Sequence, residues 1–403
     1  MFFANISLNS SLNGISLLNF YTLKFYLYMQ KKKKLLFIFG TRPEAIKITP
    51  VITAFMKEKQ LFDVLTCSTG QHKEMLNQVI DFFDIKIDYN LNLMSKNQSL
   101  NLLSSKIITS LKKVLDKEKP DYVFVHGDTT TTAFGSIAAF YNQIKICHIE
   151  AGLRTFKKYS PFPEEINRSI TSKLADFHFA PTESAKKNLM SENIKKTSIC
   201  VTGNTVIDAL LYSKKIINNY KSKEIDLLKN KISTDQKIIL VTGHRRENFG
   251  KGFKNICNAL IDISKNSNVQ IIYPVHLNPN VRNIVNKMLG GIDNIHLIKP
   301  LGYPAFVWLM NKSYLILTDS GGIQEEAPTF NIPTLVMRNT TERPEGIKKG
   351  TAILVGTDKD KIVFHTKELL EKEKLYKKFS SANNPYGDGN ASKRIVKFLK
   401  KNG

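Results

Sequence analysis

From Leu35 onward, short apolar runs alternate with stretches whose apolar residues fall at helical spacing. This alternation constrains the chain more than any other feature, because parallel strands covered on both faces by helices are its natural packing. The runs Leu35–Phe39, Val64–Cys67, Tyr122–His126, Lys145–Ile149 and Phe177–Ala180 read as strands. Helices lie between them, such as Pro43–Lys57, where Ala45, Ile48, Ile52 and Phe55 share a face, and Thr131–Tyr141. After Asn204 the pattern begins again, with strands at Ile238–Thr242, Val269–Tyr273, Ile295–Ile298, Tyr314–Leu317, Thr334–Val336 and Ile353–Val355. The expected fold class is α/β: two doubly wound, Rossmann-like domains facing a central cleft. Ligands of such sheets lie beyond the carboxyl ends of the strands, so polar residues just after strands are the candidates.

The first strand runs into Gly40-Thr41-Arg42-Pro43-Glu44, with Lys47 one turn into the helix. Thr41 suits a cap and Pro43 the first helical turn. Arg42 and Lys47 place two cations near that helix start, which suits a phosphate or diphosphate. A capped helix with solvated cations is the plainer alternative. The segment is neither a Walker loop nor a dinucleotide fingerprint, so neither ATP nor NAD is implied. Asp128 follows one strand and Glu150 closes the next. If those strands are neighbours, about 4.8 Å apart, both carboxylates emerge at one rim. Closely placed acids push their pKa values apart, so that one can hold a proton while another accepts one. Glu164, at a helix start beside Glu165, offers a third carboxylate.

In the second half, His244 follows a buried strand beside Arg245 and Arg246, where it can meet phosphate or carry a proton. Ser320-Gly321-Gly322 opens a helix containing Glu325 and Glu326. Its glycines let backbone N–H groups approach a diphosphate closely. A carboxylate one turn further on can reach ribose hydroxyls.

The net charge of +24 raises nucleic acid as a partner. The lysines, however, fall in scattered pairs (Lys112-Lys113, Lys186-Lys187, Lys214-Lys215, Lys348-Lys349, Lys377-Lys378) and form no stripe with interleaved aromatics. They read as solvated surface that favours anionic ligands, and no nucleic acid is expected. Cys67, Cys147, Cys200 and Cys257 have no metal-ligand or redox spacing and read as free thiols in a reducing cytoplasm. Residues 1–30 read as an extension outside the fold. They lack a basic leader and a small-residue cleavage site, and Lys24 interrupts an apolar part shorter than the ~20 residues of a spanning helix. No stable membrane association is expected, an anchor being the alternative.

Phe39–Lys47, His126-Gly127-Asp128-Thr129-Thr130-Thr131, His148–Arg154, Thr242–Glu247, Asp319–Glu326, Thr341–Glu345 and Asn384–Gly389 together resemble the non-hydrolysing UDP-N-acetylglucosamine 2-epimerases of bacteria, the enterobacterial members above all. The resemblance runs in order from about Lys34 to the C-terminus. It implies a glycosyltransferase-B-like fold, usually dimeric, with domains at 31–203 and 204–383 and a C-terminal helix in 384–403 returning to the first. It also implies no cofactor and no metal. By the same likeness Arg42, Lys47, Asp128, Glu150 and His244 fall at active-site positions, and Glu164 at a further catalytic one. Phe306, Ser320, Gly321, Gly322, Glu326 and Arg343 fall where uridine and diphosphate are held. Leu301 stands where the enterobacterial members carry glutamine near the uracil, a departure that would move recognition onto backbone groups. Some members bind a second UDP-sugar through a loop resembling Gln71-His72-Lys73-Glu74-Met75. The implied reaction is reversible epimerisation at C2 through UDP elimination to a 2-acetamidoglucal, with Asp128, Glu150 and Glu164 sharing the proton chemistry in an order left open. A cytoplasmic homodimer feeding surface polysaccharide synthesis, such as enterobacterial common antigen, is the expected setting. The alternatives are a hydrolysing epimerase releasing N-acetylmannosamine and a retaining glycosyltransferase of the same fold.

Overall fold

The computed structural model describes residues 32–70, 73–95, 98–233, 235–341 and 343–403. The expectations for residues 1–30, and for Gln71 and His72 of the second-ligand loop, lie outside them. Strands β1 (Lys33–Phe39), β2 (Phe62–Ser68), β3 (Tyr89–Asn90), β4 (Tyr122–His126), β5 (Lys145–Ile149), β6 (Phe177–Ala180) and β7 (Ile199–Val201) form a seven-stranded sheet in the order β3-β2-β1-β4-β5-β6-β7. Strands β8 (Lys237–Thr242), β9 (Val269–Pro274), β10 (Ile295–Ile298), β11 (Leu315–Thr318), β12 (Thr334–Val336) and β13 (Ala352–Leu354) form a six-stranded sheet in the order β10-β9-β8-β11-β12-β13. Every pairing is parallel. The edge strands β3 and β7 are absent from the sequence reading, being too short to show a period of their own.

The continuous apolar runs are explained by burial on two sides. In β1, Leu35, Phe37 and Phe39 point into one core while Leu36 and Ile38 point into another, beneath the helix Leu100–Glu118. Phe37 stacks on Phe124 of β4 at 4.5 Å between ring centroids. The two halves do not have wholly separate cores. Phe37, Leu240 and Ile316 belong to one contiguous apolar cluster that also takes in Val206, Leu210, Val307 and Leu309. The helices Thr205–Ile216 and Tyr303–Lys312, which carry the last four, are therefore the packing between the sheets.

The chain crosses between the sheets twice. Outward it passes through Gly203 and Asn204 into the helix Thr205–Ile216, and it returns through Asn384–Gly387 to the helix Ala391–Asn402. The crossings touch: the Asn204 N–H donates to the Tyr386 carbonyl at 2.8 Å. Asp208 caps the returning helix by accepting from the N–H groups of Ala391 and Ser392. That helix lies on the first half, with Phe398 edge-on to Phe177 and Phe179 and Lys400 2.8 Å from Glu58. In each sheet the strand order reverses at one point, between β1 and β4 and between β8 and β11. Loops there diverge and open a crevice, which puts two crevices at the carboxyl edges of two sheets.

Candidate active site

At the first crevice, Thr41 caps the helix Arg42–Met56 in a reciprocal capping box with Glu44, and Pro43 occupies the first turn. Glu44 does more than cap. One carboxylate oxygen accepts from the N–H groups of Gly40 and Thr41, and the other from the hydroxyls of Thr129 and Thr132. It therefore ties the loop after β1 to the loop after β4. Burial pushes its pKa up, and these donors oppose the shift.

β4 and β5 are neighbours, with His126 opposite Ile149, so the acids after them share a rim as the spacing requires. Asp128 is not a helix cap; Thr129 holds that position. The Asp128 carboxylate instead pairs with Arg168, and Asn167 donates to its backbone carbonyl at 3.0 Å. Burial raises the Asp128 pKa; Arg168 works against the shift and the nearby Glu150 adds to it. Glu150 sits in the left-handed region at φ 62°, a conformation that costs a non-glycine residue roughly 1–2 kcal/mol. Such strain persists only where neighbours enforce it. Two residues on, Gly152 lies at φ +91°, where a Cβ would fall 2.3 Å from the Ala185 carbonyl oxygen, so the turn packs tightly against the helix Glu183–Ser191.

Lys47 donates to Glu150 at 2.5 Å, and His126 Nε2 lies 4.0 Å from the same carboxylate. Burial opposes ionisation of Glu150, but Lys47 above all overcomes it, with His126 adding only in acid where it is protonated, and the carboxyl is held well below its ordinary range. His126, fully enclosed, is pushed down to about 4 and is neutral; its Nε2 has no hydrogen-bond partner among the described residues. Glu164 begins the helix Glu164–Leu174, one turn before Arg168. Its neighbour Glu165 turns away to accept from the N–H groups of Thr155 and Phe156.

At the second crevice, Asp319 is fully buried and organises the loop after β8. One of its oxygens accepts from the N–H groups of His244 and Arg245 at 2.9 and 2.8 Å; the other lies 3.3 Å from His244 Nδ1. Burial lowers the His244 pKa and Asp319 opposes the change. The imidazole also stacks on His276, with centroids 5.6 Å apart. Ser320 precedes the helix Gly321–Glu326, and a Cβ on Gly321 would lie 3.9 Å from the guanidinia of both Arg245 and Arg343. Two cations and a glycine helix start thus converge on one spot, an arrangement fitted to an anion. Phe306 and Leu301 are half-buried against the core that the two halves share.

Some of the contacts between the halves reach the two crevices. Arg42 feels the charge of Glu326, whose carboxyl is pushed up to about 7 by burial and by adjacent Glu325. Asn204, 5% exposed, donates from one amide nitrogen to Glu150 of the first half at 3.0 Å and to Glu325 of the second at 2.7 Å. Glu325 in turn pairs with Arg343. Asn204, Arg168, Asp319 and His126 were not singled out from the sequence. For Arg168 a signal was present, its four-residue spacing from Glu164 on one helix. Asn204 gave only its place where the strand pattern restarts. Among the described residues, no group of three or more His, Cys, Asp or Glu side chains is placed to hold a metal ion.

The sequence matches, over residues 54–400, a family model described as UDP-N-acetylglucosamine 2-epimerase. It is 53% identical over 372 residues to the UDP-N-acetylglucosamine 2-epimerase of Escherichia coli O157:H7, covering 92% of this chain and 99% of that one. Among solved structures it is similar to the Neisseria meningitidis UDP-GlcNAc 2-epimerase bound to UDP-GlcNAc, with a TM-score of 0.82, 50% identity, and coverage of 91% of this chain and 100% of the other. It is also similar to the Methanocaldococcus jannaschii enzyme in complex with UDP-GlcNAc and UDP, with a TM-score of 0.73, 36% identity, and coverage of 91% and 99%. A chain with this pair of sheets, these facing crevices and this extent of likeness belongs to the UDP-N-acetylglucosamine 2-epimerase family.

Proposed function

We propose that the chain interconverts UDP-N-acetylglucosamine and UDP-N-acetylmannosamine by eliminating UDP and adding it back. The C2 hydrogen of the sugar is not next to a carbonyl, so its direct removal near neutral pH is not feasible. As the bond from C1 to the diphosphate oxygen lengthens, positive charge on the ring acidifies that hydrogen. A carboxylate takes the proton, the C1–C2 double bond of a 2-acetamidoglucal forms, and UDP leaves with the bonding pair. Return of a proton to the other face of C2, with UDP re-adding at C1, gives the epimer.

The observation that carries this reading is the placement of Asp128 and Glu150 side by side at the ends of neighbouring strands, with Arg343 within electrostatic reach of Glu150. Asp128, Glu150 and Glu164 serve the proton transfers. Arg42, Lys47, His244, Arg343 and the Ser320–Gly322 segment hold the departing diphosphate. Glu326 takes the ribose hydroxyls, and Phe306 and the backbone near Leu301 take the uracil. Residues 31–203 and 204–383 act as two domains closing on the substrate, with 384–403 tying them. Closure keeps water from the glucal.

A homodimer is part of the reading. The helices Leu100–Glu118, Thr130–Tyr141 and Glu164–Leu174 pack side by side and leave Leu100, Leu102, Phe140, Tyr141, Ile166 and Ile170 exposed. An apolar face of this kind marks an interaction site, and light scattering gives the mass. So is a cytoplasmic location in the supply of surface polysaccharide, in keeping with four free cysteines. Among the described residues no helix is long and apolar enough to cross a membrane.

The test is incubation with UDP-N-acetylglucosamine in heavy water, followed by NMR. Deuterium at C2 in an intact UDP-linked manno product is expected. Deuterated free sugar would mean that water captures the intermediate, and no exchange at C2 would overturn the reading.

A further inference from the structure

The hydrogen-bonding capacity of Asn204 is filled in an unusual way. Its Oδ1 accepts from the Val206 N–H at 3.0 Å, capping the helix Thr205–Ile216. Its two amide hydrogens go to two carboxylates from opposite sheets, Glu150 and Glu325. Each carboxylate also holds a cation, Lys47 on Glu150 and Arg343 on Glu325. The result is one chain of contacts across the cleft: Lys47, Glu150, Asn204, Glu325, Arg343. Its charges balance, two positive and two negative; the neutral amide hydrogen-bonds to a carboxylate of each pair, and Lys47 also feels Glu325 as Glu150 feels Arg343. That link sits where the outgoing crossing of the chain is bonded to the returning one, through the Asn204 N–H and Tyr386.

We propose that Asn204 is a positioning residue for the reaction, holding Glu150 of the first domain and Glu325 of the second in one hydrogen-bonded set as Lys47 and Arg343 turn to the substrate diphosphate. The inference rests on the function proposed above. When a diphosphate draws off the two cations, Glu150 and Glu325 lose their charged partners in a buried site. An unpaired buried carboxylate would take up a proton or swing away. The two amide donors keep both carboxylates ionised and in place, and they make closure of one domain felt at the proton-transfer residue of the other.

The informative variant is Asn204→Asp. The introduced carboxylate is nearly isosteric and can still accept from the Val206 N–H, so the helix keeps its cap. It cannot donate to Glu150 or Glu325 while ionised, and it adds a third negative charge between them. The groups facing this position are Lys47, His126 and Asp128 around Glu150, and Arg343, Glu326 and Tyr386 around Glu325. C2 exchange and epimer formation are followed with pH for wild type and variant, together with Tm. The expected result is a kcat lowered at least ~tenfold near neutral pH, a smaller change in KM, and a Tm that is lowered but leaves the variant folded at the assay temperature. The loss should shrink as pH falls, because protonation of the introduced carboxyl restores one donor. A kcat like wild type, or a loss equal at every pH, would overturn the inference. If Asn204→Asp does not fold, Asn204→Ser decides the matter, since a hydroxyl keeps the cap but can donate only once. A lowered kcat there with KM little changed supports the role, and wild-type kcat removes it. Absence of exchange in the wild-type protein would instead count against the proposed function.

Discussion

Both rims carry charged pairs, Lys47 with Glu150 and Arg168 with Asp128 on the first and Arg343 with Glu325 on the second, but the second adds glycines, backbone N–H groups and a second guanidinium around Gly321. The buried acid on each side is used differently. Glu44 ties two loops of the first rim together through threonine hydroxyls, whereas Asp319 orients the His244–Arg245 backbone of the second. The difference teaches how the work divides. Side chains that must change protonation state need partners that tune them, so they come as pairs. Around Gly321 the proposed diphosphate site adds donors that do not titrate, backbone N–H groups and guanidinia, to Lys47 and His244.

The strongest way to break this division is Asp128→Asn. C2 exchange should fall by roughly 10²–10⁴-fold, the size of a lost general acid–base contribution, while UDP affinity by calorimetry stays within about twofold, the usual scatter of such comparisons. A parallel loss of UDP affinity would mean that Asp128 itself serves nucleotide binding. Next in size, Arg343→Met should weaken UDP binding by roughly ten- to a hundredfold, the worth of a hydrogen bond to a charged group. Exchange at saturating substrate should suffer less than in Asp128→Asn. Unchanged UDP affinity would take Arg343 out of the second rim's role.

The smallest effect sharpens the picture at Glu326. Its folded pKa, about 7, lies above the ordinary value of 4.5, so between those values the folded protein holds a proton that the unfolded chain has released. Stability of the ligand-free protein therefore falls as pH rises through that window and levels off above it. Glu326→Gln should flatten this part of a Tm-against-pH curve. Identical curves would show that Glu326 does not titrate there.

Much of this was legible in advance, for identifiable reasons. Strands β4, β5, β6, β10 and β12 have the expected bounds; in β4 and β12 every residue is buried, so the apolar run begins and ends with burial itself. β11 lies one residue later than the apolar run suggests, at Leu315–Thr318, because Thr318 is held in the sheet by pairing with Thr242 and Val336. The positions of Asp128, Glu150 and His244 followed from the rule that sites lie past strand ends, which needs no knowledge of side-chain partners. The partners themselves were not legible. Arg168 lies 40 residues from Asp128 in the chain, and Asn204 lies 54 and 121 residues from its two carboxylates.

By itself, then, the sequence determined two parallel α/β sheets, the crevices at their carboxyl edges and the residue types that line them. These depend on local periodicity and on what each residue can bury. Only the tertiary structure decided which charge neutralises which, that Glu150 is held in a strained conformation, and that one asparagine amide joins acids from both halves. Those features depend on distances between segments far apart in the chain, and on a burial that changes the balance between desolvation and pairing at each group.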